Sequence, residues 1–302
     1  MLKICLPLSA ALLVLFAFMI PRRSAADDFR PVGTITDKRV NESSGIAASR
    51  NHPGHLWIHN DSGDEPRLFL IDPSGHVKAV VQLLDAAATD WEDMCSFELD
   101  GRNYLLIGDI GDNNRQRDGR RKPLSRLYLI EEPKVPRSNG QPTLTHKVRT
   151  VIDFEYDDGP TDCEGLAFDP QRREVLLLTK AAPQRSGLYS LPLDLQLARQ
   201  RGTARRIASP FLPFVTAMDV TAADASGTQQ LIVGSMFSGL LVQRESSQTW
   251  EQAFRDQARS VDLPARRQGE TVCFDPTHRW LYLNSEGVGQ PLWKIPVPAA
   301  KD

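Results

Sequence analysis

The sequence predicts an all-β protein, a five-bladed β-propeller whose ring is closed by its N-terminal strand, and three observations carry that prediction. A strand of one form recurs as Arg67-Leu68-Phe69-Leu70-Ile71, Arg126-Leu127-Tyr128-Leu129-Ile130, Gly187-Leu188-Tyr189-Ser190-Leu191, Gly239-Leu240-Leu241-Val242-Gln243 and Pro291-Leu292-Trp293-Lys294-Ile295. Its leucines are 52 to 61 residues apart, and self-similarity at that period built from short strands marks propeller blades. A second motif precedes each of these strands: a turn delivers a small or acidic residue and then a short apolar run, as in Glu42 to Ala47, Asp90 to Cys95, Asp162 to Ala167, Ala217 to Thr221 and Gly269 to Cys273. Finally, the fifth repeat ends too soon for a fourth strand, while Pro31 to Thr36 reads as a spare strand ahead of the first. Pairing the two removes an open sheet edge.

Each repeat opens with a hairpin bent at Pro, Gly, Asp or Asn. Ile46 to Ala48 turns at Arg50-Asn51-His52-Pro53-Gly54 into Leu56-Trp57-Ile58, and Phe97 to Leu99 turns at Asp100-Gly101-Arg102 into Tyr104 to Ile107. Phe168 gives way through Asp169-Pro170-Gln171 to Val175 to Leu178, and Phe274 through Asp275-Pro276-Thr277 to Trp280 to Leu283. Outer strands are expected at Val77 to Leu83, Arg149 to Phe154 and Ala204 to Ala208, with a poorer one around Trp250 to Phe254. The second repeat is long, so six blades is the competing count. The basic insertion Asn113 to Ser125 and the Pro-rich stretch Pro133 to Thr143 account for that length as loops.

The 302 residues are 41% hydrophobic and 25% charged, as in a globular protein. Lys3, the apolar run Ile4 to Ile20 and Ser24-Ala25-Ala26 read as a secretory signal, residues 1–26, cut after Ala26 to leave one domain, 27–302. An uncleaved anchor is the alternative, and only then does the chain have a membrane partner. The expected location is secreted or periplasmic. Lys3, Arg22 and Arg23 leave with the signal and no acid does, so the mature chain is more acidic than the whole, whose net charge is −2. That gives no electrostatic footing for nucleic acid. Cys95, Cys163 and Cys273 remain, an odd set that makes no disulfide framework.

In a blade whose innermost strand comes first, the turn entering that strand and the loop after the second strand open on one face. Ser44, Glu92, Glu164 and Glu270 then gather at one mouth, with Met218 in the fourth repeat's place. Carboxylates around a narrow axis repel unless a cation is shared, and Ca²⁺ accepts six to eight oxygens in flexible geometry. The alternative is that each glutamate accepts hydrogen bonds from neighbouring blade amides and fastens the ring. Asp61, Asp109, Asp112 and Glu286 end or follow the second strands and are candidates for second-site ligand or general base. Arg67, Arg126, Lys180 and His59 are candidates for holding a small anionic or phosphorylated ligand. The six histidines are scattered, and no Gly-x-Ser-x-Gly elbow or phosphate-cradling Gly-rich loop occurs.

Ser44-Gly45-Ile46-Ala47, Leu56-Trp57 to Asp61, Arg67 to Asp72, Asp90-Trp91-Glu92-Asp93 and Asp162-Cys163-Glu164-Gly165-Leu166 resemble the secreted bacterial propellers labelled "esterase-like activity of phytase" and the related SdiA-regulated proteins. The likeness covers nearly the whole mature chain. It implies an exported propeller with calcium at the axis and phosphoester hydrolysis. The five-bladed calcium-activated apyrases are similar in carrying Ser and Glu around an axial calcium, which implies Ser44, Glu92, Glu164 and Glu270 as ligands. Two functions follow as expectations: a calcium-dependent phosphoester hydrolase, or a non-catalytic ligand- or partner-binding propeller with a structural calcium.

Overall fold

A computed structural model describes residues 29–137, 140–180, 186–236 and 238–298. The expected signal, residues 1–26, lies outside them. The described chain is nearly all β. The strand β1 (Pro31–Ile35) precedes a first antiparallel unit of β2 (Ser43–Ala48), β3 (Leu56–Asn60), β4 (Arg67–Ile71) and β5 (Val77–Leu84). The next unit consists of β6 (Trp91–Leu99), β7 (Arg102–Asp109), β8 (Ser125–Glu131) and, past β9 (Thr143–Lys147), β10 (Thr150–Tyr156). Then come β11 (Cys163–Asp169), β12 (Glu174–Thr179), β13 (Leu188–Pro192) and β14 (Arg199–Ala208). These are followed by β15 (Val215–Val220), β16 (Gln229–Ser235) and β17 (Gly239–Arg244), a helix α1 (Trp250–Asp256), and β18 (Ala258–Val261). The last strands are β19 (Cys273–Phe274), β20 (Trp280–Leu283) and β21 (Gln290–Pro296).

The first strands pack on one another in a cycle, β2 on β6, β6 on β11, β11 on β15, β15 on β19, and β19 back on β2. This radial arrangement of four-stranded units is that of a β-propeller. As expected, β1 pairs antiparallel with β21 at the outside of the final unit, joining the two ends of the chain. The apolar faces of neighbouring units meet in the core: Ala47, Trp57 and Leu70 with Trp91, Leu105 and Tyr128, for example, and Phe97 stacked on Phe168.

One expectation is corrected and one strand was not foreseen. The stretch around Trp250 to Phe254 is a helix, not an outer strand. Thr249 caps it by accepting from the Gln252 amide while Gln252 bonds back to the cap, and Trp250, Ala253 and Phe254 bury one face. The outer strand there is β18, paired with β17. The stretch Pro133 to Thr143 carries no strand before Thr143 among its described residues, as expected, but it leads into an unexpected strand, β9, which pairs parallel with β5 and lends part of the second repeat's extra length to the first unit.

The units are fastened at the axis by two buried aspartates. Asp93 on β6 accepts the Leu166 amide of β11 and the Met218 amide of β15, both at 2.9 Å, and its neighbour Met94 at 2.8 Å. Asp219 on β15 accepts the Phe274 amide of β19 at 2.8 Å. Removing the Asp93 carboxyl leaves amides of three units buried without acceptors, and each costs about 1–3 kcal/mol. Asp93→Ala is therefore expected to lower stability by roughly 3 kcal/mol or more, read as a urea midpoint shift. A loss under about 1 kcal/mol would show that the fastening is dispensable.

Candidate metal centre

Most residues at the axis owe their position to an irregularity repeated at the start of four of the five inner strands, while Glu270 lies in the segment that enters β19. Pairing slips between Ser43 and Gly45 in β2, between Trp91 and Met94 in β6, between Cys163 and Gly165 in β11, and between Val215 and Ala217 in β15. A bulge sets one residue outside the ladder and re-aims its side chain. Ser44, Glu92, Glu164 and Thr216 hold that place in the four strands. Met218, expected there, is instead a core residue at the position of Leu166. Thr216 is buried and donates its hydroxyl to the Gly269 carbonyl at 2.7 Å. Gly45 is required beside this bulge, because a Cβ there would collide with the His59 ring.

Ser44, Glu92, Glu164 and Glu270, all buried, line one cavity of about 80 Å³ together with Asp61, Asn113, Lys180, Gln268 and Glu286. The Ser44 hydroxyl donates to Glu92 Oε2 at 3.3 Å, and Lys180 Nζ donates to Glu164 Oε1 at 2.9 Å. Oxygen atoms of Asp61, Asp90 and Glu92 lie within 4.8 Å of one another, as do those of Glu92, Asp162 and Glu164, so Glu92 belongs to both groups. Among the described residues no backbone amide donates to Glu92, Glu164 or Glu270. Fastening by amides, the alternative role for these glutamates, falls to Asp93 and Asp219 instead.

Unpaired charge is costly in this setting. Burial, then the field of Glu164, pushes Glu92 well above the usual carboxylate range. Burial takes Glu164 up to about 7 against the pull of Lys180, and Asp90 up to about 6. It also raises Asp61, Asp162, Glu270 and Glu286. Burial opposes the Lys180 charge, yet the fields of Glu164, Glu270 and Glu92 hold its pKa above the ordinary lysine range. The donors are oxygens throughout, the set a hard cation such as Ca²⁺ takes.

The other expected site residues separate into two groups. Asp61, Glu286 and Lys180 are at the mouth. Asp109, Asp112, Arg67, Arg126 and His59 do not line the cavity, which corrects their assignment to it. Asp109 is buried in an ion pair with Arg117 at 2.6 Å. Asp112 accepts the amides of Gln116 and Arg117 at 2.9 and 2.8 Å. Arg67 is paired with Asp64 and Arg126 with Asp153, each at 2.6 Å. His59 is fully buried, edge-on to Trp91 at 5.2 Å, and burial lowers its pKa to about 4. Asp90 and Asp162 were missed as site residues, although both stand two places before an axial glutamate, an Asp-x-Glu pattern visible in two repeats. Gln268 was missed as well, although it holds the same place two residues before Glu270, and Asn113 directly follows the Asp112 that was expected at the mouth.

No family model matches this chain, and no curated protein matches it. Among solved structures it is similar to a gluconolactonase from Xanthomonas campestris, at 14% identity and a TM-score of 0.44, over 85% of this chain and 72% of that one. It is also similar to a chain of a mitotic checkpoint complex, at 12% identity and a TM-score of 0.36, over 83% of this chain and 61% of that one. Neither likeness bears on chemistry, and the likeness to the phytase-like propellers is carried by the sequence motifs alone.

An acid whose folded pKa is raised stabilises the fold while protonated, and that contribution disappears as pH climbs through the folded value. Glu164, Asp90 and Glu92 therefore destabilise metal-stripped protein as pH rises from about 4.5 through about 7. The Lys180 contribution is present throughout that window. The melting temperature of stripped protein is expected to fall by several degrees between pH 5 and 8, and millimolar Ca²⁺ to cancel the fall. A flat profile without metal would contradict the electrostatic reading.

Proposed function

We propose that this chain is an exported, five-bladed, single-domain β-propeller that binds one Ca²⁺ at its axis and hydrolyses a small phosphoester at the mouth above it. The observation that supports this most is the set of buried axial glutamates that no backbone amide satisfies among the described residues, with carboxylate oxygens clustered around Glu92. Ser44, Glu92, Glu164 and Glu270, with Asp61, Asp90 and Asp162 beside them, would hold the ion. When bound, Ca²⁺ supplies positive charge to a phosphoryl oxygen and acidifies nearby water.

The chain's own groups do the rest. Asp61 and Glu286 are half-buried at the rim, and burial raises both carboxyls towards the range in which a general base works. One of them takes the proton as water attacks phosphorus and the ester P–O bond breaks. Lys180 stays charged against Glu164 and offsets part of the acid field. Glu164 and Glu270, both buried in the wall of the cavity, would help hold the ion and shield it from bulk water.

A second reading is favoured by the size of the cavity. About 80 Å³ admits a cation and a water or two but not a substrate, and Arg67 and Arg126 are occupied in ion pairs away from it. On that reading the calcium is structural and the mouth binds a ligand or partner without turnover.

Assays of p-nitrophenyl phosphate and bis-p-nitrophenyl phosphate with Ca²⁺ and with EDTA separate the two. Hydrolysis predicts turnover lost with EDTA and in Glu164→Gln, and cut about 100-fold or more in Asp61→Asn or Glu286→Gln, with calcium still bound in whichever is not the base. No turnover alongside a calcium-raised melting temperature supports the second reading. Turnover indifferent to EDTA contradicts the calcium-dependent mechanism.

A further inference from the structure

The basic insertion after β7 reads in sequence as a loop, but the structure ties its first residues to the axial acid Asp162 and to the buried Asp109. Asp112 donates its amide to Asp162 Oδ1 at 2.8 Å, and its own carboxylate accepts the Gln116 and Arg117 amides. The Arg115 amide closes the turn on the Asp112 carbonyl at 2.8 Å. Further on, the buried Arg117 guanidinium reaches back under the loop to Asp109 Oδ1 at 2.6 Å and to the Asp109 carbonyl at 3.1 Å. Two buried charged groups thus position a short exposed turn whose first residue, Asn113, lines the axial cavity.

The turn presents Arg115. Its backbone is left-handed, with φ at 52°, a conformation that costs a residue with a side chain, and its side chain is exposed. Among the described residues it has no ion-pair or hydrogen-bond partner for its guanidinium, while its charge is felt at Asp162. The other cations do not compete for the role. Lys180 is held by Glu164, Arg67 by Asp64, Arg126 by Asp153, and Arg121 by Asp118. Arg266, beneath Glu270, donates to the carbonyls of Thr271 and Ser235. The mouth needs such a group. Asp61, Asp90, Glu92, Asp162, Glu164, Glu270 and Glu286 outweigh one Ca²⁺ and Lys180, so an incoming anion meets net repulsion unless a rim cation receives it.

We propose that Arg115 recognises the anionic group of the ligand at the mouth, and that Asp112 and Arg117 are positioning residues that hold its turn over the axial site. The assignment rests on the calcium reading above. The ligand class it suits is a small anion, and a phosphoryl group, which can offer two oxygens to the guanidinium fork, is the member the hydrolase reading takes.

Calorimetric titration of Ca²⁺ and then of inorganic phosphate into the full mature chain tests it. Arg115→Ala is expected to weaken phosphate binding to the calcium-loaded protein about tenfold or more, with Ca²⁺ affinity within about twofold of wild type. Arg115→Lys is expected to recover only part of the loss, and Arg120→Ala, an exposed cation on the same loop, to change little. Calcium binding with phosphate affinity indifferent to Arg115, an equal loss in Arg120→Ala, or calcium-loaded wild type that binds no phosphate would overturn the assignment while leaving the calcium site standing. Wild type that binds no Ca²⁺ would remove both.

Discussion

Burial of like charge at a narrow axis is the constraint on which the rest of this structure depends. Inner strands that pack in a cycle bring their first residues together, and a bulge at the entry of four of them turns one side chain into the shared space. Two layers of acid result. In the lower one Asp93 and Asp219 are satisfied by amides of neighbouring units and fasten the ring. In the upper one Glu92, Glu164 and Glu270 have no backbone-amide donors among the described residues; Lys180 is ion-paired with Glu164, and Arg266 acts on Glu270. A fold can carry the first layer unaided. The second is costly without a counter-charge, because desolvation in a polar pocket is recovered only by good pairing.

Much of this was legible in the sequence. The recurrent third strands and the spare strand Pro31 to Thr36 defined the repeating units and the closing pair β1 with β21. The axial convergence of Ser44, Glu92, Glu164 and Glu270 followed from repeat position alone, because a residue's place in the repeat sets its distance from the axis. The misreadings have physical causes. Met218 aligned with the glutamates when the motif was counted from its apolar run, but the bulge fixes the register, and Thr216 takes the place. Trp250 to Phe254 has strand-like composition, yet the Thr249–Gln252 capping box commits it to a helix. Asp109 and Asp112 looked available because their partner Arg117 lies in an insertion whose path the repeat does not specify.

Those misreadings also redistribute the chemistry. Four charged candidates for the mouth, Asp109, Asp112, Arg67 and Arg126, are engaged elsewhere, and the basic insertion, which looked like a bystander, is built into the site through Asp112 and Arg117. What remains at the opening is sparse: Asp61 and Glu286 as half-buried carboxyls and Lys180 as a tethered charge, with Arg115 unengaged on the turn that starts at Asn113. A sparse rim over a dense acidic well suits an ion held deep with a small anion above it. It offers little to a large apolar ligand, since the cavity is small and lined by polar groups.

The most direct measurement is elemental analysis of protein purified without chelator, set beside Glu92→Gln prepared in the same way. The account predicts close to one calcium per wild-type chain and a marked loss in the variant, since Glu92 belongs to both oxygen clusters. A wild-type value near zero at saturating Ca²⁺ would contradict it, and would mean that the upper acids are accommodated by protonation alone.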